Sequence, residues 1–535
     1  MHISLSSRHA SPRRRGRTRP RHQHAPSPEQ RWRTLAVLCL SLLIITVDGT
    51  IVNIALPSFV LELGADTSQL QWIVDAYTLG FAGLLLAAGS LGDRFGRHHA
   101  LRAGLIIFAA GSALAAVCQP PSQLIATRVV MGAGAALVMP ATLSILTDVF
   151  RDGAERTKAI ALWTAVSGLG VAIGPTAGGW LLEHFAWSAI FLINLPLIAV
   201  ALMAGRRLVP VSVTADAPPL DARGALLSVV ALTALTWTVI EAPNHGWLSP
   251  ATLASALVTL VLAGLFLAWQ RRVEHPLVDL ALFADARYAA ASGALAVIFF
   301  ALFGALFVLT QILQFILGYG PLQAGLAALP FAVVIGATSP LGAHVAQRVG
   351  ARLPLAGGLL LLSAGLAVMG SAQPDSRYGL FLVASVLMAA GMGLAMAPAT
   401  ESIMDAVPAD KAGVGSAMND ATRERGGVLG GAIVGSVVAS AYTAAIADTA
   451  PDMPRQMGVA AGESIGAAGA AAQRLDEPTA QALLVAAQEA FVHAADRGVL
   501  IAAAVALAGA VVVWVTLPAP VVATTDFTRV ERAAA

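Results

Sequence analysis

Apolar residues in this chain gather in long unbroken runs, not in the three-to-four-residue alternation of a helix with one wet face. About 20 apolar residues are needed to cross a hydrocarbon core. Such runs recur near 34–56, 70–90, 100–118, 123–147, 158–182, 187–205, 222–241, 251–269, 290–316, 321–346, 352–371, 378–403, 411–440 and 497–517. The pattern predicts an all-α polytopic membrane protein with fourteen spans. The first 33 residues lack apolar periodicity and are rich in Arg, Pro, Ser and His, which predicts a disordered basic tail. The first apolar run contains Asp48, unlike the uncharged core of a cleaved secretory signal, so it is read as a retained span.

Composition agrees with this pattern. Of 535 residues, 57% are hydrophobic and 12% charged, and mean hydropathy is +0.74, which no soluble domain of this length sustains. Basic residues fall mainly on one set of connections, including Arg94, Arg97, Arg102, Arg151, Arg156, Lys158, Arg206, Arg207, Arg223, Arg271, Arg272, Arg287, Arg348, Arg352 and Lys411. The opposite loops hold few, such as Arg377, Arg455 and Arg474. This bias predicts both termini, including the tail 518–535, in the cytoplasm. Neither lysine, Lys158 or Lys411, follows a glycine, so the chain has no phosphate-binding Gly-Lys-Ser/Thr loop and is not by itself an ATP-driven pump. Cys39 and Cys118 lie in apolar runs and read as buried thiols, with no disulfide or metal framework.

Two passages repeat at long range. Gly89-Ser-Leu-Gly-Asp93-Arg94-Phe-Gly96-Arg97 returns, degraded, as Ala343-His-Val-Ala-Gln347-Arg348-Val-Gly350-Ala351. Pro140-Ala-Thr142 returns as Pro398-Ala-Thr400. Spans one to six and nine to fourteen therefore read as parallel repeats: a first bundle over 34–205, two inserted helices and linkers over 206–289, and a second bundle over 290–517. Such duplicated bundles build a midplane cavity that opens alternately to either side. The stretch 441–496, rich in Ala, Gly and acidic residues, is predicted as one long outside loop with room for short interfacial helices.

Ionisable residues at membrane depth are functional candidates by default. With a helical rise of about 1.5 Å per residue, Asp48 on span one, Asp75 on span two and Arg128 on span four come out at similar heights. On span thirteen, Asp420, Arg423 and Glu424 share one arc. That cluster reads equally as a self-neutralised packing unit or as an acidic wall for a cationic substrate or a second proton. Arg425 points away from it and has no evident partner.

The hairpin Gly89–Arg97 resembles the hallmark loop of the major facilitator superfamily, where Gly89 and Gly96 permit a tight turn and Asp93, Arg94 and Arg97 form charged latches of a cytoplasmic gate. Gly170-Val-Ala-Ile-Gly174-Pro175-Thr-Ala-Gly178-Gly179 resembles the fifth-helix signature of that superfamily's drug:proton antiporters. Asp48-Gly-Thr-Ile-Val-Asn53 and Arg128-Val-Val-Met-Gly132 are similar to the first- and fourth-span motifs of its fourteen-span members. The fourth-span motif departs at Met131, where the family often has Gln, and Val386 stands in the place of Arg128 in the second repeat.

The resemblance implies two six-helix bundles plus two inserted helices, and a non-enzymatic exporter in the plasma membrane. It implies hydrophobic drugs or antibiotics, cationic ones among them, as cargo. Asp48 would be the proton acceptor and Arg128 its electrostatic tuner, with Asp75, Asp420 and Glu424 as candidate substrate or second proton sites. The expected partners are a drug-like small molecule, protons and the bilayer, with no nucleic acid, no cofactor beyond the proton gradient, and a functional monomer. The alternatives are an exporter of an endogenous metabolite, a self-made antibiotic or a lipid, and a membrane-embedded enzyme or sensor.

Overall fold

The computed structural model describes residues 27–150, 152–210, 221–274, 276–278, 280–406, 412–449, 461–473 and 475–517. Most of the basic N-terminal tail, the tail 518–535, Arg151, His275, Asp279, Lys411, Arg455 and Arg474 lie outside the described residues, as does the side chain of Asp93.

Among the described residues, fourteen helices of 15 residues or more follow one another: α1 (Pro28–Leu63), α2 (Thr67–Phe95), α3 (Arg97–Ala115), α4 (Pro121–Val149), α5 (Gly153–His184), α6 (Asn194–Leu208), α7 (Ala222–His245), α8 (Pro250–Gln270), α9 (Ala286–Gln311), α10 (Leu329–Val349), α11 (Arg352–Met369), α12 (Tyr378–Asp405), α13 (Ala412–Thr449) and α14 (Glu477–Thr516). Short helical segments at Ala189–Leu192, Pro321–Ala327 and Ile465–Ala472 precede α6, α10 and α14. Among the described residues, eleven spans are long and apolar enough to cross a membrane by length and composition. The other three long helices, α2, α3 and α5, pack inside the same assembly against α4 and α1.

Helix ends follow local chemistry. Ser27 and Gln30 form a capping box at the start of α1, with Pro28 in the first turn, so helix begins inside the stretch expected as a disordered tail. Gly64 ends α1 in the left-handed conformation. Gly96 turns the chain from α2 into α3 at φ 102°, and its repeat counterpart Gly350 joins α10 to α11 at φ 81°. Both positions need glycine because a side chain there would meet the backbone. The tight turn of the hairpin thus belongs to Gly96; around Gly89 there is open space.

The duplication is visible in packing. In the first half α1 lies on α5, α2 on α4 and α3 on α4; in the second α9 lies on α13, α10 on α12 and α11 on α12. Gly104 meets the backbone of Gly134 as Gly358 meets that of Gly391, and Gly111 faces Met131 as Gly365 faces Met388. These contacts correct the sequence alignment by one residue: Arg128 precedes Met131 by three, so its counterpart is Ser385, not Val386.

A second correction concerns 441–496. Its Ala-rich ends continue the flanking helices, α13 to Thr449 and α14 back to Glu477, because alanine carries the highest helix propensity. The inserted pair α7 and α8 pack on each other, and α7 also lies against both α2 and α13.

Candidate functional site

Four helices of the first half converge on one buried ion pair. α4 brings Arg128, whose Nη1 donates to Asp48 Oδ2 on α1 at 2.6 Å; the side chains are 1% and 0% exposed. Asn194, at the first turn of α6, donates from Nδ2 to the other oxygen, Asp48 Oδ1, at 2.9 Å, and to Ser112 Oγ of α3 at 3.2 Å. Arg128 Nε donates to the Ile73 carbonyl of α2 at 3.1 Å, and the Tyr77 ring covers the guanidinium at 4.2 Å. Both oxygens of Asp48 therefore have donors and the guanidinium is satisfied at its edge and face, which is what a charge pair away from water requires.

Sequence reading brought Asp48 and Arg128 together but assigned no role to Asn194 or to Tyr77 beside the pair. Asn194 was legible only as a lone amide within the apolar run Phe191-Leu-Ile-Asn194-Leu-Pro196. Tyr77 follows Asp75 by two positions and so lies on a different face of α2. The Tyr77 hydroxyl itself donates to the Ile45 carbonyl of α1 at 3.5 Å.

The glycines of α5 divide into two sets. Gly170, Gly174 and Gly178 sit against Thr46, Thr50 and Ile51 of α1, with no room for a Cβ. Gly179 instead meets Pro321 and Leu322 of the second half, where Gly325 meets the Pro175 carbonyl. Thr176 Oγ1 donates to the Gly325 carbonyl at 3.4 Å, Gln314 Nε2 to the Ile54 carbonyl of α1 at 3.0 Å, and Thr67 Oγ1 to the Glu463 carbonyl at 2.6 Å. These bonds join the halves at the end marked by the α1–α2 turn. Beneath them lies a cavity of about 50 Å³ with Thr50, Asn53, Thr310, Ser385, Phe331 and Met388 on its wall. A cavity of about 500 Å³ at the far end of the second half, lined by Asp285, Arg287, Arg352, Glu401 and Asp405, is away from the ion pair.

In the α2–α3 hairpin, Arg97 Nη1 pairs with Asp148 at 2.7 Å and donates to the Ser144 carbonyl at 3.2 Å, both on α4 of the same half. Arg94 is exposed, with its guanidinium 5.8 Å from the Phe95 ring centroid.

On α13 the structure separates the candidates. Arg423 donates to Thr400 Oγ1 of α12 at 3.0 Å and lies 5.5 Å from the Phe299 ring centroid, forming no ion pair with Asp420 or Glu424 within 4.0 Å among the described residues. Asp420 accepts from Asn419 at 3.3 Å. Arg425 has a partner on the inserted helix: it donates to Ser228 Oγ of α7 at 3.3 Å. Trp72 of α2 points to that insertion too, donating to Glu241 at 3.3 Å.

A duplicated helical bundle with one charge pair buried among its helices and cross-half contacts at one end is the architecture of a multi-pass membrane transporter. A family model described as Major Facilitator Superfamily matches residues 38–431, and the chain belongs to that superfamily. The multidrug efflux pump LfrA of Mycolicibacterium smegmatis is 36% identical over 489 residues, covering 91% of this chain and 97% of LfrA. The methyl viologen resistance protein SmvA of Salmonella typhimurium is 33% identical over 493 residues, covering 91% of this chain and 98% of its own. Among solved structures, an inward-facing bacterial homolog of the human lysosomal transporter Spinster matches with a TM-score of 0.64 at 16% identity, covering 92% of this chain and all of that one. The protein is thus related to drug efflux pumps of the superfamily.

Proposed function

We propose that the protein is a proton-coupled antiporter that exports hydrophobic, in part cationic, drug-like molecules from the cytoplasm, with both termini inside and a single chain as the working unit. The observation that carries this reading is the isolated Asp48–Arg128 pair, buried among four helices with its hydrogen bonds filled by Asn194 and Ile73. A guanidinium favours the carboxylate, and desolvation favours the acid; small changes in access tip the balance, so one site loads and releases a proton. Protonation of Asp48 removes the anion that holds Arg128 and frees α1 to shift against α4. α1 carries the change outward, since it also bears the glycine-row contact with α5 and the Gln314 bond to the second half.

Asp420 and Glu424, without an ion pair from Arg423, support the acidic-wall reading of α13 and with it a cationic fraction among the cargo. The relatives named for multidrug efflux and for methyl viologen resistance support the drug-like class. Asp93, Arg94 and Arg97 remain the gate set of this proposal, with Arg97 bracing α4 through Asp148.

The test is dye export by inverted vesicles with and without an imposed pH gradient. Asp48→Asn should abolish gradient-driven movement while membrane insertion is kept, with a lowered melting temperature because Arg128 is left buried without its counter-ion. Retained proton-driven export in that variant would remove Asp48 from the mechanism.

A further inference from the structure

The two halves of the duplication differ at one corner. In the first half Arg97 follows the turn glycine Gly96 and reaches across to α4, where Asp148 and the Ser144 carbonyl hold its guanidinium. That bridge ties the α2–α3 hairpin to its neighbour. In the second half the turn glycine is Gly350, and the residue after it is Ala351, whose methyl group cannot reach across. The corner between the α10–α11 turn and the end of α12 is instead the cavity of about 500 Å³, with Ala351, Glu401, Ser402, Asp405 and Ala406 on its wall. The acidic side of the bridge is kept and the basic side is lost.

The arginines nearby do not replace it. Arg352 is turned toward α14, with its guanidinium 4.3 Å from the Trp514 ring centroid. Arg287 lies in the first turn of α9, where its backbone amide donates to Asp285 at 2.7 Å. Among the described residues neither guanidinium comes within 4.0 Å of the carboxylates of Asp285, Glu401 or Asp405. Unlike Asp75, whose carboxyl is buried against Gly431 of α13, these three carboxylates are exposed. A cation can therefore join them without the desolvation cost of a buried pair.

The end of α14 delivers the next stretch of chain to this place. Leu517, which caps that helix, is itself on the cavity wall, and Pro518 and Pro520 follow it in sequence. The tail beyond carries two arginines, Arg529 and Arg532. Arg529 follows Leu517 by 12 residues, a reach of about 40 Å in extended chain, so it can return to the corner from any direction. On so short a tether a guanidinium is present at an effective concentration of roughly mM order. Charge-assisted hydrogen bonds to one or two carboxylates are then enough to seat it.

We propose that this corner is the docking site of the chain's own C-terminal tail, with the Arg529 guanidinium seated between Glu401 and Asp405. It does for the second half what Arg97 does for the first, tying the α10–α11 turn to the end of α12. Because the tail leaves from α14, docking links that helix to the same corner. The second half thus exchanges a fixed latch for a detachable one, which salt weakens because its charges are exposed. This inference goes beyond the proton-coupled reading and does not use Asp48 or Arg128, so the two fail separately.

The experiment uses the full chain in lipid nanodiscs, with Cys39→Ser and Cys118→Ser and two introduced cysteines, Gln347→Cys on the cavity wall and Thr528→Cys beside Arg529. Under mild oxidation an internal disulfide should form about tenfold faster than in a control that pairs Thr528→Cys with His99→Cys, an exposed position of the first-half hairpin. Arg529→Ala should lower the rate to that of the control, and so should Asp405→Arg. Combining Asp405→Arg with Arg529→Glu should recover part of the rate, which also shows that the altered corner still folds. Equal rates for the two cysteine pairs overturn the inference, as does a rate unchanged by Arg529→Ala. A disulfide that joins two chains, read as a dimer on a non-reducing gel, assigns the corner to a second copy and overturns it as well. So does a missing link in a protein whose Gln347→Cys thiol is shielded from maleimide by a cationic dye, which assigns the cavity to cargo.

Discussion

At the scale of single residues, Asn194 shows how a buried charge is made tolerable. Its amide supplies the donor that Arg128 cannot give to the second oxygen of Asp48, and its other contact, Ser112, fixes the amide from α3. A hydrogen bond to a charged group contributes about 1.5–3 kcal/mol. Asn194→Leu should therefore lower stability by about that amount in thermal unfolding followed in detergent, and cut gradient-driven dye export, while Asn194→Gln recovers part of both. Asp48 and Arg128 were legible in the sequence because charges in apolar runs stand out. Asn194 was not, because a neutral amide in a membrane helix is common and only its neighbours give it a task.

At the scale of elements, α5 is the helix whose sequence said most. Its glycines give up helix propensity and return close approach: three of them admit the side chains of α1, and Gly179 with Pro175 admits the Pro321–Ala327 turn of the other half. One row of small residues therefore serves two interfaces. Gly174→Val would drive a branched side chain into Thr50. Overpacking of this kind costs about 1–3 kcal/mol, so the expected result is a lowered melting temperature with export lost. Ala in its place should be milder on both measures. The spacing announced a tight interface; which partner each glycine meets followed only from the crossing of α5 over α1.

For the whole molecule, the contacts that join the halves gather at one end, and transport by rocking requires them to part. Thr67 of α2 and Glu463 of the segment before α14 meet there across the halves. Cysteines at these two positions, in a chain lacking Cys39 and Cys118, should form a disulfide under oxidising conditions. Export should then stop, and a reductant should restore it. Unchanged export by the fully oxidised protein would show that this end need not open.

The order of the long apolar helices, the duplication and the class of transporter were written in the sequence, because a bilayer imposes run length and polarity directly on composition. Even the paired turn glycines, Gly96 and Gly350, could be read in this way, since a tight reversal restricts residue type. Tertiary structure alone decided that Arg423 turns to Thr400 and makes no ion pair with Asp420 or Glu424 among the described residues, that Arg425 finds Ser228 on the insertion, and that Ser385 replaces Arg128 in the second half. Side-chain partners of this kind depend on where two helices cross, and crossing points are set by the fit of whole surfaces. No local pattern along one helix records that fit.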